Sequence, residues 1–587
     1  MAELARGWRA YFIVGLIAAL AALAGVFTLP PLDRDESRYA QATAQMLESG
    51  DFVRINYLDD ERNKKPVGIH WMQAVSVAAL SSAEARDIWA YRLPSVLGAI
   101  LATLACFWGG QRLLGREAAF AGSALFAASV MLGIEGGIAK TDAVLVGATT
   151  LAMAALANLR TGAAGWRSAL VFWFALGLGV LIKGPVTPMV AGLTAAVLIV
   201  WERRIAWLKP LLVFWPGPVL AIAMVVPWLV TIQIATDGNF LREALGDDLG
   251  PKLVSADERH GGWPGYHLLL LPLTFFPAVL FLVPGVGRLA DALRSGSQRA
   301  EAARFLVAWA VPTWIVFEFL PTKLPHYVLP AFPALALVAG WGLVELGKAA
   351  LWQRWTGRAL FAGGGLVFAV ALPVIYARYG TGLEQGPGLG TSIWVFSGLA
   401  IFVALAAASL TSERLRPGPT ALILAVLAGL GWHLAARGAA LPNAEAVRLA
   451  DRVRAVRDSA QSLTGVPPDA IVTASSYTEP SLVFSLGSDT VLGTTGEVLA
   501  FAESREDPTL VVLDLWRDDA LRQAMAATGD EGAPRRWTLD RNGLPCPSGS
   551  TAIAGTNYSR GTDTVLAVFF TPCPEMDDHN DPQDRNR

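Results

Sequence analysis

The stretch Asp33-Arg34-Asp35-Glu36-Ser37-Arg38-Tyr39 lies where the first long apolar run of the chain ends, directly after Leu29-Pro30-Pro31. Its charged side chains are therefore expected at or just above a membrane surface. A second charged cluster, Arg62-Asn63-Lys64-Lys65-Pro66, follows and leads into Gly68-Ile69-His70-Trp71. Carboxylates and clustered cations at a lipid boundary indicate a site for a lipid phosphate with a reaction beside it.

The composition assigns most of the chain to a membrane. Of its 587 residues, 53% are hydrophobic and only 16% are charged, against about 25% charged residues in a soluble domain. A single soluble core cannot bury so much apolar surface, so the bilayer is the expected solvent. The net charge of -2 gives no basic excess that would indicate a nucleic-acid partner.

The three cysteines are too few for a disulfide framework. Cys106 lies inside an apolar run and is expected to be packed. Cys546 and Cys573 fall in the polar C-terminal part. From the sequence alone they can either form a disulfide with each other or remain two free thiols. The apolar run from Tyr11 to Leu29 is longer than a signal-peptide core and has no clear cleavage site, so we predict a retained anchor.

Apolar runs of membrane length predict about thirteen transmembrane helices at roughly 20 residues per crossing. With the N-terminus in the cytoplasm, every loop that this count places inside is basic, as the positive-inside rule requires. The same count places the loops 30–91 and 234–265, and everything after residue 439, on the periplasmic side. The predicted spans are residues 9–29, 92–111, 117–134, 141–159, 167–183, 186–201, 210–233, 266–287, 303–320, 326–346, 359–377, 391–410 and 419–438.

The predicted organisation is a transmembrane domain over residues 1–439, a periplasmic soluble α/β domain over 440–574 and a disordered tail over 575–587. Residues 37–49 and 240–249 carry apolar side chains at helical spacing and predict interfacial helices. In the α/β domain, a helical pattern over 446–456 precedes short apolar runs that predict strands. Those runs are residues 470–473, 481–485, 510–513 and 565–570.

Two motifs resemble bacterial membrane glycosyltransferases, the family of the lipid A aminoarabinose transferases and protein O-mannosyltransferase-like enzymes. The first is Asp35-Glu36-Ser37-Arg38-Tyr39-Ala40, followed by Met46-Leu47-Glu48-Ser49-Gly50-Asp51-Phe52 and then by Lys65-Pro66. The second, Lys323-Leu324-Pro325-His326-Tyr327, resembles the lysine–leucine–proline–x–tyrosine signature of that family. The resemblance covers residues 1–345 well and is weak beyond them.

The resemblance implies a GT-C fold, a helical bundle with its active site at the outer rim. It also implies transfer, with inversion, of a sugar from a polyprenyl phosphate such as undecaprenyl phosphate to an acceptor on the periplasmic face of the bacterial inner membrane. The acceptor is expected to be lipid A, another envelope glycan or a protein hydroxyl. We expect a monomer among membrane lipids that needs no cofactor, with a divalent metal left open.

The resemblance also implies roles for particular residues. Asp35 is the expected catalytic carboxylate, acting as a general base or orienting the acceptor, and its alternative is a solvated residue at a helix start. Asp142 is the second carboxylate and Glu36 a lower-ranked one. The residues expected near the donor phosphate are Arg38, Lys65, Lys64, Tyr327 and Lys323.

Other polar residues at the outer rim are candidates for a gate or for acceptor contacts, each with a structural alternative such as an interfacial lysine or an aromatic-belt tyrosine. His260, beside Asp257 and Glu258, is also a candidate metal ligand, although three ligands at suitable spacing are not evident. The candidates are Arg259, His260, His326, Lys183 and Tyr39.

Lys64 stands where the aminoarabinose transferases carry a glutamate, which favours a neutral or acidic sugar over aminoarabinose. Two other classes of protein are alternatives. A transporter or flippase would show internal repeats and charges near mid-membrane, and neither is seen in the sequence. A membrane scaffold with a sensory outer domain would have no need of Asp35.

Overall fold

The computed structural model describes residues 1–162, 165–250, 262–296, 299–380, 389–415, 418–464, 471–514 and 551–571. Within them a helical bundle is followed by a small domain with a mixed sheet. The predictions about Arg259, His260, Cys546, Cys573 and the tail 575–587 concern residues outside this part of the chain.

The helices of the first half of the chain carry the predicted outer loops and spans. In chain order they are α1 (Gly7–Leu23), α2 (Asp35–Ser49), α3 (Gly68–Leu80), α4 (Ile88–Leu114), α5 (Arg116–Ala127), α6 (Val130–Gly136), α7 (Asp142–Arg160), α8 (Trp166–Lys183), α9 (Val186–Glu202), α10 (Lys209–Val213), α11 (Pro216–Ala235) and α12 (Asn239–Arg242).

The helices of the second half complete the bundle and enter the C-terminal domain. They are α13 (Tyr266–Thr274), α14 (Val279–Ser295), α15 (Ala300–Phe319), α16 (Phe332–Val344), α17 (Leu351–Tyr379), α18 (Leu389–Leu415), α19 (Pro419–His433), α20 (Leu449–Thr464), α21 (Pro480–Leu486) and α22 (Thr495–Glu503).

Each predicted span coincides with a helix or with a pair of helices that meet at a bend. Among the described residues, eight helices are long and apolar enough to cross a bilayer. Two further pairs, α5 with α6 and α13 with α14, are bent by 58° and 120° and raise the count to ten if each pair is one span. The predicted thirteen is reached only if three shorter apolar helices also cross: Gly7–Leu23, Val186–Glu202 and Leu329–Val344.

Glycines allow α4 and α7 to approach each other closely. A Cβ atom added at Gly98 would lie 2.6 Å from the Val144 amide nitrogen, and one at Gly147 would lie 2.7 Å from the Gly98 carbonyl oxygen. Small residues at such crossings let backbones pack directly, which is how membrane helices gain van der Waals contact. This contact fixes the position of α7, whose first residue is Asp142.

The outer segment between α1 and α4 contains two helices and a short hairpin. The interfacial helix predicted over 37–49 is α2, and the pattern over 240–249 coincides with α12 and the π-helix Glu243–Leu249 that continues it. The hairpin pairs β1 (Asn56–Tyr57) with β2 (Asp60–Glu61). It is attached to α2 because the Gln45 side-chain amide bonds the Leu58 backbone in both directions, at 2.9 and 3.0 Å.

The C-terminal domain contains a five-stranded sheet in the order β4-β3-β5-β7-β6. Strand β3 runs parallel to β4 and β5, whereas β7 is antiparallel to β5 and β6. Its central strands have apolar side chains on both faces, which is typical of a sheet covered by helices. The strands are β3 (Val472–Ser475), β4 (Val491–Leu492), β5 (Thr509–Asp514), β6 (Thr551–Asn557) and β7 (Thr562–Thr571).

One strand prediction in this domain is wrong. Residues 481–485 form the helix α21 instead. A fully buried apolar run lacks the periodicity that separates a strand from a short buried helix. Pro480 at the first helical position was the available signal, since its fixed φ suits a helix start. The predicted runs 510–513 and 565–570 lie in β5 and β7, and residues 472–473 of the run 470–473 lie in β3, while residue 470 is outside the described residues; β4 and β6 were not predicted.

Candidate active site

Two buried charged side chains anchor the segment that leads into α2. The guanidinium of Arg92, on α4, forms a bidentate pair with the Glu36 carboxylate at 2.8 Å on both arms. It also donates to the carbonyl oxygens of Val26, Leu29 and Pro30 at 2.7–2.9 Å. Both side chains are almost completely buried, so water cannot replace these bonds. The end of α1 and the start of α2 are thereby fixed to α4.

Glu36 is saturated by these contacts. Besides Arg92, its carboxylate accepts hydrogen bonds from the backbone amides of Leu32 and Ala139, both at 2.8 Å. Two donors from arginine and two from the backbone match the capacity of a carboxylate. The structure therefore places this predicted catalytic candidate in the framework that holds residues 26–36 against residue 139.

Asp35, one residue earlier, has the opposite environment. It is the first residue of α2, and its side chain is exposed to solvent. The surrounding protein still removes part of its hydration, which raises the pKa of a carboxyl, but the charges of Lys140 and Arg62 outweigh this and hold the pKa below its usual value. Arg38, one turn along the helix, acts in the same direction. Asp35 is therefore an ionised, accessible carboxylate at neutral pH.

Asp142 is the centre of a charge cluster at the start of α7. Its carboxylate accepts a hydrogen bond from the Lys183 ammonium at 2.6 Å. Lys140 and His326 approach the same carboxylate at 3.6 and 3.7 Å. The Lys183 ammonium also lies 5.7 Å from the ring centre of Tyr327. Four side chains that the sequence singled out, on three separate parts of the chain, thus meet at one place.

Glu135 and Lys140 complete this cluster and were not among the predicted site residues. The Lys140 ammonium lies 3.3 Å from the Glu135 carboxylate, and His326 approaches the same carboxylate with Nδ1 at 3.4 Å. Burial alone would lower the pKa of Lys140, but Glu135 and Asp142 raise it above the usual lysine value. The available signal was a glutamate and a lysine inside an apolar stretch, since charges there are retained only for a purpose.

His326 is neutral at physiological pH. Burial lowers the pKa of its imidazole, with Lys140 and Lys183 acting in the same direction against the raising effect of Asp142 and Glu135. A neutral imidazole donates through one nitrogen only. His326 can therefore donate to one of its two carboxylate neighbours at a time.

Arg62 covers the ring of Tyr39, with its guanidinium carbon 4.8 Å from the ring centre. Beneath them lies a buried polar group in which the Thr43 hydroxyl is 2.8 Å from both His70 Nδ1 and Gln73 Oε1. Burial lowers the pKa of His70 to about 3, so this histidine is neutral. Arg62 belongs to the second charged cluster of the sequence, yet it was not named as a site residue.

The remaining phosphate candidates are placed differently. Lys64 and Lys65 lie in the loop before α3, with Lys64 exposed. Among the described residues, no ion pair joins Lys64 to Asp35 or Asp142. The Lys323 ammonium donates to the carbonyl oxygens of Glu318 and Leu320, the latter at 2.8 Å. It thus caps the C-terminal end of α15, a position that favours a cation.

The Lys323 ammonium lies beside Glu318 at the C-terminal end of α15, where it bonds the backbone. The Glu318 carboxylate accepts instead from the Gly265 amide at 2.7 Å and faces His267 Nδ1 at 3.0 Å. Lys323 bonds the backbone of Glu318 rather than its side chain.

A metal site is absent from the part of the chain that the structure describes, since no three acidic, histidine or cysteine side chains there are grouped to hold an ion. The metal expectation around His260 concerns residues outside that part. The site as described combines one accessible carboxylate, a second carboxylate paired with lysines, and several cations at the N-terminal ends of α2 and α7 and the C-terminal end of α8. Such an arrangement can orient a hydroxyl and neutralise a phosphate.

These features define a polytopic membrane protein of the GT-C type. The fold matches that of ArnT from Cupriavidus metallidurans, solved bound to undecaprenyl phosphate, with a TM-score of 0.69 and 19% identity over 97% of this chain and 98% of that chain. The unliganded form of the same protein matches with a TM-score of 0.67. The expected GT-C fold is confirmed.

The relatives can now be named. The chain is 29% identical over 345 residues to the undecaprenyl phosphate-alpha-4-amino-4-deoxy-L-arabinose arabinosyl transferase 2 of Pseudomonas fluorescens, covering 56% of this chain and 60% of that protein. The corresponding protein of Aeromonas hydrophila is 25% identical over 428 residues, covering 70% and 75%. The chain thus spans 60% of the length of the first of these relatives. Residues 64–230 match the family model described as dolichyl-phosphate-mannose-protein mannosyltransferase. The resemblance to membrane glycosyltransferases is confirmed.

Proposed function

We propose that this protein is an inverting glycosyltransferase that moves a sugar from undecaprenyl phosphate to lipid A or another envelope acceptor. It acts at the periplasmic face of the bacterial inner membrane, with the N-terminus in the cytoplasm and the C-terminal domain in the periplasm. The observation that carries the proposal is the exposed Asp35 carboxylate under the electrostatic influence of Lys140, Arg62 and Arg38, on a fold shared with a protein solved with undecaprenyl phosphate.

The donor is a lipid, and the outer surface offers a place for an apolar chain. A groove of about 280 Å³ lies between the end of α2 and the helix α3. Only apolar side chains line it, namely Leu47, Phe52, Trp71, Ala74, Val75 and Ala78. A polyprenyl or acyl chain can lie in such a groove while its phosphate reaches the polar rim nearby.

The reaction follows from the charges at the rim. An acceptor hydroxyl attacks the anomeric carbon from the side opposite the phosphate, and its proton passes to the ionised Asp35 carboxylate. The bond between the anomeric carbon and the phosphate oxygen breaks, and its electron pair stays on that oxygen. The product has the inverted configuration, and the leaving group is undecaprenyl phosphate.

Cations stabilise the departing phosphate. Arg38 on α2 and Arg62 in the loop before α3 both follow Asp35 in the sequence, and the charges of both act on its carboxylate. Lys65 and Tyr327 are further candidates for the phosphate oxygens. Fixed donors in a partly water-excluded site stabilise developing charge without reorganising, which is the largest single contribution in many enzymes.

Asp142 and Glu36 support this chemistry in different ways. Asp142 is paired with Lys183. We therefore assign it the role of positioning this lysine on the side of the site that receives the acceptor. Glu36 is a positioning residue, because its contacts with Arg92 and two backbone amides leave it no capacity for substrate. Lys323 is left out of the phosphate site because backbone carbonyls occupy its ammonium.

A protein hydroxyl is the second candidate acceptor. The specific observation in its favour is the match of residues 64–230 to a protein mannosyltransferase model. The named relatives favour an aminoarabinose donor, whereas Lys64 near the rim favours a sugar without an amino group. The identity of the sugar therefore has to be determined by the experiment that follows.

The test is mass spectrometry of lipid A and envelope glycans from a deletion strain. The strain is complemented with wild-type protein or with Asp35→Asn at equal membrane abundance. We expect one sugar to disappear from lipid A on deletion and to return with the wild type only. Unchanged lipid A together with an altered glycoprotein would move the acceptor to a protein. A sugar that returns equally with Asp35→Asn would overturn the mechanism.

A further inference from the structure

The backbone immediately before Asp35 is strained. Arg34 has φ 63° and ψ −114°, which is the conformation of the first central residue of a type II′ turn and is normally taken by glycine. A non-glycine residue in this region is strained and persists only where surrounding contacts enforce it. Arg34 connects the buried Asp33 to Asp35, so whatever holds this turn also sets the direction of the Asp35 side chain.

The C-terminal domain supplies the contacts on this turn. The Asp33 amide donates to the Tyr558 hydroxyl at the tip of the β6–β7 hairpin. The Asp33 carboxylate accepts from the Ser481 amide of α21 at 3.3 Å. The Arg34 guanidinium donates to the Ser559 carbonyl oxygen, also at 3.3 Å. Three contacts from two elements of one domain thus fall on two consecutive residues.

The hairpin tip and α21 are joined to each other as well. The Glu479 carboxylate, directly before α21, accepts from the Asn557 amide at 2.7 Å and pairs with the Arg560 guanidinium at 2.9 Å. Asn557 and Glu479 are both buried. The two elements therefore act on the turn as one rigid unit.

A second contact holds α2 further along. The Ser488 hydroxyl accepts from the Gln41 side-chain amide at 2.8 Å and donates to the Glu48 carboxylate at 2.6 Å. Arg86 joins the same junction, donating to Gln41 Oε1 at 2.7 Å. Beside it, the Phe484 ring packs edge-on against Tyr91 with centres 5.2 Å apart. The domain thus contacts α2 at both ends.

From these contacts we infer that the C-terminal domain positions the catalytic segment: Tyr558 and α21 clamp the Asp33–Arg34 turn and thereby orient Asp35. The inference rests on the proposed catalytic role of Asp35. Tyr558 and Ser481 are positioning residues in it, since they act through the turn and have no assigned contact with substrate. The domain is accordingly part of the active site's framework.

The test uses full-length protein in proteoliposomes, with undecaprenyl phosphate-aminoarabinose as donor and lipid A as acceptor. Tyr558→Phe removes the acceptor of the Asp33 amide and is expected to lower kcat roughly tenfold, with the donor KM unchanged. Tyr379→Phe, at the end of α17, is the matched control and should keep the wild-type kcat. Arg34→Gly relaxes the strained turn, so adding it to Tyr558→Phe should recover most of the lost kcat. A purely structural role of Tyr558 would give no such recovery.

Hydrogen–deuterium exchange provides a readout independent of transfer. Amides of residues 33–40 should exchange faster in Tyr558→Phe than in the wild type, with the rest of the membrane domain unchanged. A wild-type kcat in Tyr558→Phe, or equal exchange of residues 33–40, overturns the inference. Failure of wild-type protein to transfer from this and other undecaprenyl-phosphate sugars would instead defeat the proposed function, while exchange still decides the clamp. If Tyr558→Phe does not accumulate, Asp33→Ala, which removes the acceptor of the Ser481 amide, replaces it.

Discussion

Asp35 and Glu36 are adjacent carboxylates in opposite environments. Asp35 is exposed among cations that keep it ionised, whereas Glu36 is 1% exposed and bonded on every side. The sequence could not separate them, because both follow the same apolar run and both lie in the first turn of α2. The difference arises from Arg92, whose place beside Glu36 is fixed only by the packing of α4.

Glu36→Gln should therefore impair folding rather than chemistry alone. It leaves the buried Arg92 guanidinium without its counter-charge, and removing one partner of a buried ion pair costs about 3–5 kcal/mol. We expect a clear fall in the midpoint of thermal unfolding in detergent. Glu503→Gln, an exposed residue of α22, serves as the control and should change nothing. A stable Glu36→Gln protein without transfer activity would return Glu36 to the catalytic residues.

The raised pKa of the buried Asp33 carboxyl predicts that the stability of the fold depends on pH. Burial raises its pKa from 3.8 to about 6, with Glu479 adding to the rise and Ser481 and Arg34 opposing it. Because the folded chain then binds this proton more tightly than the unfolded chain, the free energy of unfolding falls as the pH rises from about 4 to about 6. The loss from this group is on the order of 2–3 kcal/mol.

Asp33→Asn tests that dependence because the amide cannot ionise. Thermal unfolding measured at several pH values between about 4 and 7 should show the wild type losing stability relative to the variant as the pH rises. Subtracting the two curves cancels the other titrating groups. A difference that stays constant with pH would show that Asp33 is not the buried acid described.

At the scale of elements, the crossing of α4 and α7 is a contact sensitive to side-chain size. Gly98→Val places a side chain where the Val144 backbone lies, so the helices must separate and carry Asp142 away from Lys183. Overpacking of this kind costs typically about 1–3 kcal/mol. We expect less monodisperse protein by size-exclusion chromatography and weaker transfer.

The matched control for this crossing is Gly192→Val. Gly192 lies on α9, and an added Cβ there meets nothing within 4 Å. Equal behaviour of the two variants would show that α4 and α7 are not in the close contact described.

Membrane helices were the most predictable elements, and short buried ones the least. Every predicted span coincides with a helix because roughly 20 apolar residues satisfy their backbone in lipid only as a helix. The bends between α5 and α6 and between α13 and α14 left no clear mark in hydropathy, since both halves are apolar. Residues 481–485 were misassigned for a related reason: an apolar run without polar alternation does not reveal its period.

At the scale of the whole molecule, the structure shows which distant segments of the chain come together. The spacing of residues in the sequence cannot show this. Asp142, Lys183 and His326 were each predicted to lie at the outer rim, and the structure places Lys183 and His326 each within 4 Å of the Asp142 carboxylate. The count of predicted spans, together with the resemblance, predicted that the three residues lie on the same side of the membrane. Their mutual distances depend on helix packing that no single sequence displays.

The proposed orientation is testable by labelling. In a background with Cys546 and Cys573 replaced by serine, we expect Ser504→Cys in the C-terminal domain to react with a membrane-impermeant maleimide on intact spheroplasts. Thr161→Cys, at the end of α7, should react only after the membrane is opened. Both positions are exposed in the structure. The reverse pattern would invert the topology and remove the periplasmic site.

The contact between Asp33 and Tyr558 joins residues 525 positions apart. The ribosome synthesises the first membrane helix and the Asp33–Arg34 turn long before it synthesises the β6–β7 hairpin that contacts this turn. In the proposed function and orientation, the transferase centre is therefore unfinished during synthesis until the last domain has been exported and has folded. We expect a chain truncated before that domain to insert its membrane helices but to lack an organised transferase centre.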